Sequence, residues 1–357
     1  MIEMMVSITI GLIVVGAVTY LYVGSKGAYR GNESVARIQE AGRFALDSIT
    51  NDVHRAGALG CGTMASITPG QPVSITVAAP VTLPVGPATA IQGFAPTAYT
   101  LPATQPAAWT APAGVPPYYS GDILQLQIAS GTPVRVIATP DTTAGKIQIS
   151  SNKLTTSSAP NFNTSDYALL ANCSAATVLQ ITANPVAPAA NAPATLGFAQ
   201  PGPTVPAISS SGPGVFAPTS YPTLQHFDQV TYYVGTVPGS SPAQTALYRY
   251  SAASGKAEEL VENIEDMDVV FGVDTTGTNA AGQFQHANNV ADWTKVVSVR
   301  VSVVAVGDQQ GVAPAGQVLL FRGTDPNPTP QPSTATDTRL RQVYAASAAL
   351  RDRIQVQ

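Results

Sequence analysis

Positions 4–25 hold no charged residue, and that one fact restricts the chain more than any other. The run Ile8-Thr-Ile-Gly-Leu-Ile-Val-Val-Gly-Ala-Val-Thr-Tyr-Leu-Tyr-Val is apolar enough to lie in hydrocarbon. About 20 such residues cross a bilayer as a helix. The helical pattern continues past the apolar run, because Val35, Ile38, Gly42, Ala45, Ile49 and Val53 recur at three- and four-residue spacing. That spacing predicts an amphipathic stripe on the same helix to about residue 56. The other faces carry Glu33, Arg37, Glu40, Arg43, Asp47, Asp52 and Arg55. Gly57 and Gly60 supply a stop. At 1.5 Å per residue the helix would be roughly 80 Å long, with one end in a membrane and the other against a globular domain.

A single carboxylate, Glu3, heads the apolar run. A lone charge next to hydrocarbon is costly unless it finds a cation, so such a residue reads as functional. The alternative is an ordinary signal anchor with Glu3 at the water interface.

Several motifs resemble a known family. Ile2-Glu3-Met-Met-Val-Ser-Ile-Thr-Ile-Gly-Leu-Ile-Val-Val is similar to the N-terminus of type IV pilins and type II secretion pseudopilins. Ser25-Lys-Gly-Ala-Tyr-Arg, Arg37-Ile-Gln-Glu-Ala-Gly-Arg-Phe-Ala-Leu-Asp and Arg55-Ala-Gly-Ala-Leu-Gly-Cys61 resemble, more closely, the PilW-like minor pilins. Leu260-Val-Glu-Asn-Ile-Glu-Asp-Met, Phe271-Gly-Val-Asp, Val296-Val-Ser-Val-Arg-Val and Arg339-Leu-Arg-Gln-Val-Tyr follow in the family's order. The resemblance implies that Glu3 pairs with the N-terminal amine of a neighbouring subunit. It also implies a short basic leader, a Gly-Phe cleavage point and two further residues ahead of Met1. Lys26 and Arg30, which follow the span, would by themselves place the bulk of the chain in the cytoplasm. A basic leader restores the opposite orientation.

Two cysteines are present, Cys61 and Cys173. In an oxidising periplasm they would form a disulfide closing a loop of roughly 110 residues, which the chain-entropy model values at about 4–5 kcal/mol. The alternative is two buried free thiols. The resemblance of residues 167–182 to the family's cysteine-containing strand pair favours the disulfide. No CxxC spacing exists, so neither zinc-finger nor thioredoxin chemistry has support.

A net charge of -4 with 11% charged residues excludes nucleic-acid binding through a broad basic surface. Residues 62–121 contain no Asp, Glu, Lys or Arg, and eleven prolines fall between positions 69 and 117. Prolines preclude long ladder-forming strands, so this reads as an irregular excursion. A second uncharged, proline-rich stretch at 183–222 reads as a long surface loop, either a solvated linker or an exposed contact surface. Strands are expected at 122–128, 134–138, 146–150, 167–174 and 175–182. Further strands are expected at 229–235, 245–251, 257–262, 264–273 and 293–306, with a short edge at 317–321. The alanine-rich segment 340–353 suits a helix on propensity, but the resemblance makes it a strand.

Three histidines, His54, His226 and His286, are scattered and read as solvated or packed. The acidic residues Glu258, Glu259, Glu262, Glu265, Asp266 and Asp268 alternate with apolar ones and read as a solvated face. Asp274-Thr-Thr-Gly-Thr-Asn-Ala-Ala-Gly has one carboxylate where a calcium loop needs several ligands. No G-x-S-x-G, H-E-x-x-H or P-loop motif occurs.

The expected fold is α+β and pilin-like: a long N-terminal α-helix packed on an antiparallel β-sheet domain with long Pro-rich insertions near 62–121 and 183–222. Residues 1–25 would form the transmembrane or filament-core half of the helix, 26–57 its amphipathic half, and 58–357 a periplasmic β-rich domain. The expected function is that of a type IV pilus minor pilin in the tip or priming complex, supporting adhesion, twitching motility or DNA uptake. It would not be an enzyme and would need neither cofactor nor metal. Its partners would be other minor pilins, the major pilin, a tip adhesin, the inner-membrane assembly platform and prepilin peptidase. It would reside in the inner membrane and then in the pilus. The alternatives are a type II secretion pseudopilin and a membrane-anchored periplasmic binding domain or hydrolase.

Overall fold

The computed structural model describes residues 2–59, 62–63, 88–96, 103–141, 144–150, 162–172, 176–186, 193–198, 216, 218–240, 244–317, 319 and 337–350. Helix α1 (Ile2–Arg55) is one unbroken element. Residues 2–30 are exposed throughout, and burial begins at Ser34 and continues through Ile38, Gly42, Ala45, Leu46, Ile49, Asp52 and Val53. The expected stripe is therefore the docked face, with one shift: Val35 is half-buried and Ser34 takes its place. The cause is a close backbone approach, since a Cβ on Gly307 would stand 2.2 Å from the Ser34 hydroxyl. Gly57 ends the helix at φ +80° and donates its N–H to Gln127 O at 2.9 Å. A left-handed residue just past the last turn is the usual place for glycine.

After β1 (Ala58–Leu59) and β2 (Gly62–Thr63), a small hairpin, nine strands build one sheet. They are β3 (Ile91–Phe94), β4 (Tyr118–Arg135), β5 (Lys146–Ile149), β6 (Tyr167–Ala171), β7 (Ala176–Val186), β8 (Ala194–Phe198), β9 (Thr223–Thr236), β10 (Thr245–Ser251) and β11 (Lys256–Glu262). A second sheet holds β12 (Ile264–Val273), β13 (Gln283–His286), β14 (Val296–Val306) and β15 (Arg341–Ala349) in the order β13-β12-β14-β15. All strand pairs are antiparallel. The fold is thus α+β, a long apolar helix with a large antiparallel domain.

The main core gathers Ile38, Ala45, Ile49 and Val53 of α1 with Leu124 and Leu126 of β4, Tyr232 of β9, Met267 and Phe271 of β12, and Val299 and Val301 of β14. The helix lies against β14 and β15 on one side and β4 and β11 on the other. Small residues make that approach possible. A Cβ on Gly42 would meet Tyr344 Cδ2 at 2.2 Å, so glycine lets the tyrosine ring lie flat on the helix. A second core, with Val136, Ile147, Leu179, Leu196, Phe162 and Phe216, fills the far end of the large sheet.

The expected strand pairs 167–174 with 175–182 and 229–235 with 245–251 are present as β6–β7 and β9–β10. Of the strand expected at 134–138, Val134 and Arg135 are the end of β4, Val136 makes a single bridge to Ile149, and residues 137 and 138 lie in no strand. The strand expected from 293 starts at Val296, because Trp293–Lys295 is a 3-10 turn whose Thr294 N–H is taken by Asp292. Residues 340–353 do form a strand where described. Of the expected edge at 317–321, Gln317 and Leu319 are described and neither lies in a strand. Gln317 instead bonds through its side chain to the Arg341 backbone. Within the stretch read as a surface loop, β7 runs to Val186 and residues 194–198 form β8, whose Ala194, Leu196 and Phe198 are buried. Uncharged, alternating residues there pack as readily as a charged-faced strand. Within 62–121, β3 and the start of β4 are likewise ordered ladder elements.

Candidate functional site: an exposed helix and its docking network

Two halves of α1 do different work. From Ile2 to Tyr29 the large apolar side chains stand in the open, among them Leu12, Ile13, Val15, Tyr20 and Leu21, each with more than half its surface exposed. An apolar surface of this size exceeds what a monomer in water carries without a partner. By length and composition the helix is able to cross a membrane. Glu3 sits at the head of this surface and is exposed. Cys61 and Cys173 lie outside the described residues.

The C-terminal half of α1 is fixed by polar as well as apolar contacts. Asp52, 5% exposed at its side chain, accepts from the Tyr232 hydroxyl at 2.7 Å and from Arg249 Nε at 3.0 Å, and it also pairs with Arg55. Burial pushes the Asp52 carboxyl up, but the Tyr232 hydrogen bond, Arg55 and Arg249 together hold it below the usual carboxylate range. Nearer the middle of the helix, Arg37 reaches Asp308 at 2.9 Å, and at the far end His54 Nδ1 lies 3.0 Å from Ala349 O. These contacts make the helix an extension of the domain rather than a tethered anchor.

A second charged network closes the other sheet. Arg341, buried at the start of β15, grips Glu265 of β12 with Nε and Nη2 at 2.6 and 2.9 Å and reaches Asp337 at 2.5 Å. Here the sequence reading needs correction. Glu258, Glu259 and Glu262 are exposed on β11, but Glu265, Asp266 and Asp268 are buried on β12. The reason is position: β12 packs against β4 and pairs with β14, and every one of its residues is buried.

His54 and His226 are packed residues, as expected. His226 stacks on Phe162 with ring centroids 4.3 Å apart, and burial lowers its pKa. His286 is different, because Asp122 of β4 and Asp268 of β12 converge on it. Its Nδ1 lies 3.6 Å from Asp268 Oδ1 and 3.9 Å from Asp122 Oδ2. Asp268 and His286 lie on the paired strands β12 and β13, and the packing of β4 against β12 brings Asp122 to them. One signal was available in the sequence: Asp122 opens an otherwise uncharged alternating strand. Asp274 of the calcium-like loop turns back on its own backbone, accepting from the N–H groups of Thr276, Gly277 and Asn279. Those bonds, that of Thr276 foremost, hold its carboxyl below the usual range.

Among the described residues the arrangement is one bare apolar helix projecting from an antiparallel domain to which its other half is docked. Residues 231–352, from within β9 to three residues past the end of β15, match the family model of PilW, the type IV pilus-assembly protein W. Over this span, well under half of the chain, the sequence is PilW-like, and that family is described by its part in type IV pilus assembly. Comparison with curated proteins and with solved structures finds no match.

Proposed function

We propose that this chain is a minor pilin of a type IV pilus, a structural subunit of the complex that primes the filament and sits at its tip. The observation that carries the reading is the continuity of α1, whose bare apolar half and docked half are one rigid rod. In the membrane the apolar half holds the subunit. On extraction it packs against equivalent helices of neighbouring subunits, which replace lipid around the same surface. Such packing conserves apolar burial, so transfer from bilayer to filament core loses little hydrophobic stabilisation. The resemblance of the N-terminal motifs and the PilW match of residues 231–352 support the same reading.

In this reading Glu3 sets axial register. A carboxylate in hydrocarbon is costly alone and favourable beside an amine in low dielectric. Glu3→Ala is expected to leave folding and membrane insertion unchanged while surface piliation falls several-fold, counted by electron microscopy and by pilin in sheared fractions. Undiminished piliation in that variant would remove the register role. The reading also includes a periplasmic Cys61–Cys173 disulfide. The denatured, unreduced chain from cells should then take up no thiol reagent, and labelling of both cysteines would refute the bond.

A further inference from the structure

We propose that Asp122, Asp268 and His286 form a divalent transition-metal site, with zinc as the ion best suited to it. The site lies at a corner of the fold. β13 covers the edge of β12 only from Val270 to Val273, its last paired residue being His286. Where β13 stops, β4 takes over the edge: Ser120 Oγ donates to Glu265 O, and Asp122 Oδ2 accepts the next free N–H, that of Val269, at 2.8 Å. The imidazole and both carboxylates therefore come from three separate strands, β12 and β13 paired with each other and β4 set against their edge.

The spacing of the three groups suits coordination of one ion. The gaps of 3.6 and 3.9 Å from His286 Nδ1 to the two carboxylates exceed a hydrogen bond. They approach the donor-to-donor edge of about 3.4 Å in a tetrahedral zinc site with bonds near 2.1 Å. All three donor atoms lie within 4.8 Å of one another. The donor set of one nitrogen and two oxygens suits zinc; calcium prefers oxygen alone. His286 keeps 13% of its side chain exposed, against 1% and 3% for the two aspartates, which leaves an entry path and a fourth position for water.

The test uses the full chain without an affinity tag, in detergent, stripped with a chelator and titrated with Zn2+ by calorimetry. One saturable equivalent is expected in the wild type, with affinity at least tenfold lower in both Asp268→Asn and His286→Ala and unchanged in His226→Ala. Near-UV circular dichroism of the metal-free variants checks that they fold. Absence of a saturable equivalent in the wild type overturns the site whatever the variants do. So does wild-type affinity in a folded His286→Ala variant.

Discussion

Arg341→Ala is expected to cost the folded protein about 3–5 kcal/mol, the typical result of removing one partner from a buried ion pair. Arg341 is 4% exposed and Glu265 is 7% exposed, so the variant leaves a carboxylate in the interior with the contact to Arg339 at 3.7 Å in place of two short bonds. Burial alone would lower the Arg341 pKa, yet the bonds to Glu265 and Asp337 raise it, so both carboxylates hold a full positive charge there. The link is also topological. Arg341 stands at the start of β15 and Glu265 near the start of β12, with β14 between them, so the pair clamps the last strand across its neighbour. Urea denaturation of the detergent-solubilised full chain measures the effect, and a loss below about 1 kcal/mol would contradict the clamp. The double replacement Arg341→Met with Glu265→Leu should recover most of the loss, because removing both charges removes the desolvation cost as well.

Asp52→Ala is the second large effect, about 3 kcal/mol, and it carries a pH signature. The substitution leaves the Tyr232 hydroxyl and the half-buried Arg249 guanidinium without the carboxylate that joins α1 to the large sheet. The sign follows from the lowered folded-state pKa of Asp52. Its contribution is fully present above the ordinary aspartate value of 3.8 and is lost as pH falls through the lower folded value. The gap in stability between wild type and variant should therefore be constant from pH 7 to about 5 and shrink below about 4. A gap that stays flat down to pH 2, or one that widens on acidification, would show that Asp52 docks the helix by shape and not by charge.

Local patterning in the sequence carried most of the fold. The helix could be read because one pattern decides each half: no charge from position 4 to 25, then Ile38, Gly42, Ala45, Ile49 and Val53 at helical spacing. Valine alternation located β14 in the same way. The alanines of β15 misled propensity, and the packing explains why they are there. Ala346 and Ala348 stand opposite Val301 and Val299 directly beneath α1, where larger side chains would hold the helix away.

What could not be read were the long-range conjunctions. Glu265, Asp266 and Asp268 look like surface residues until β4 and β14 are placed around β12. The Asp52–Tyr232–Arg249 network joins residues 180 and 197 positions apart, and the Asp122–Asp268–His286 set spans a comparable distance. No periodicity reports such meetings, because they depend on which strands the fold brings past one another. β8 was missed for a simpler reason: five short, uncharged residues between prolines offer too few positions to show alternation.

The measurement that tests the central claim most directly is mass spectrometry of the mature N-terminus of this chain, recovered from native cells and from their sheared filaments. The pilus-subunit account predicts a processed chain whose N-methylated phenylalanine lies two residues ahead of Met1, present in the filament fraction as well as the membrane. An N-terminus at Met1, unprocessed and confined to the membrane, would contradict it and leave a membrane-anchored domain that never enters a filament.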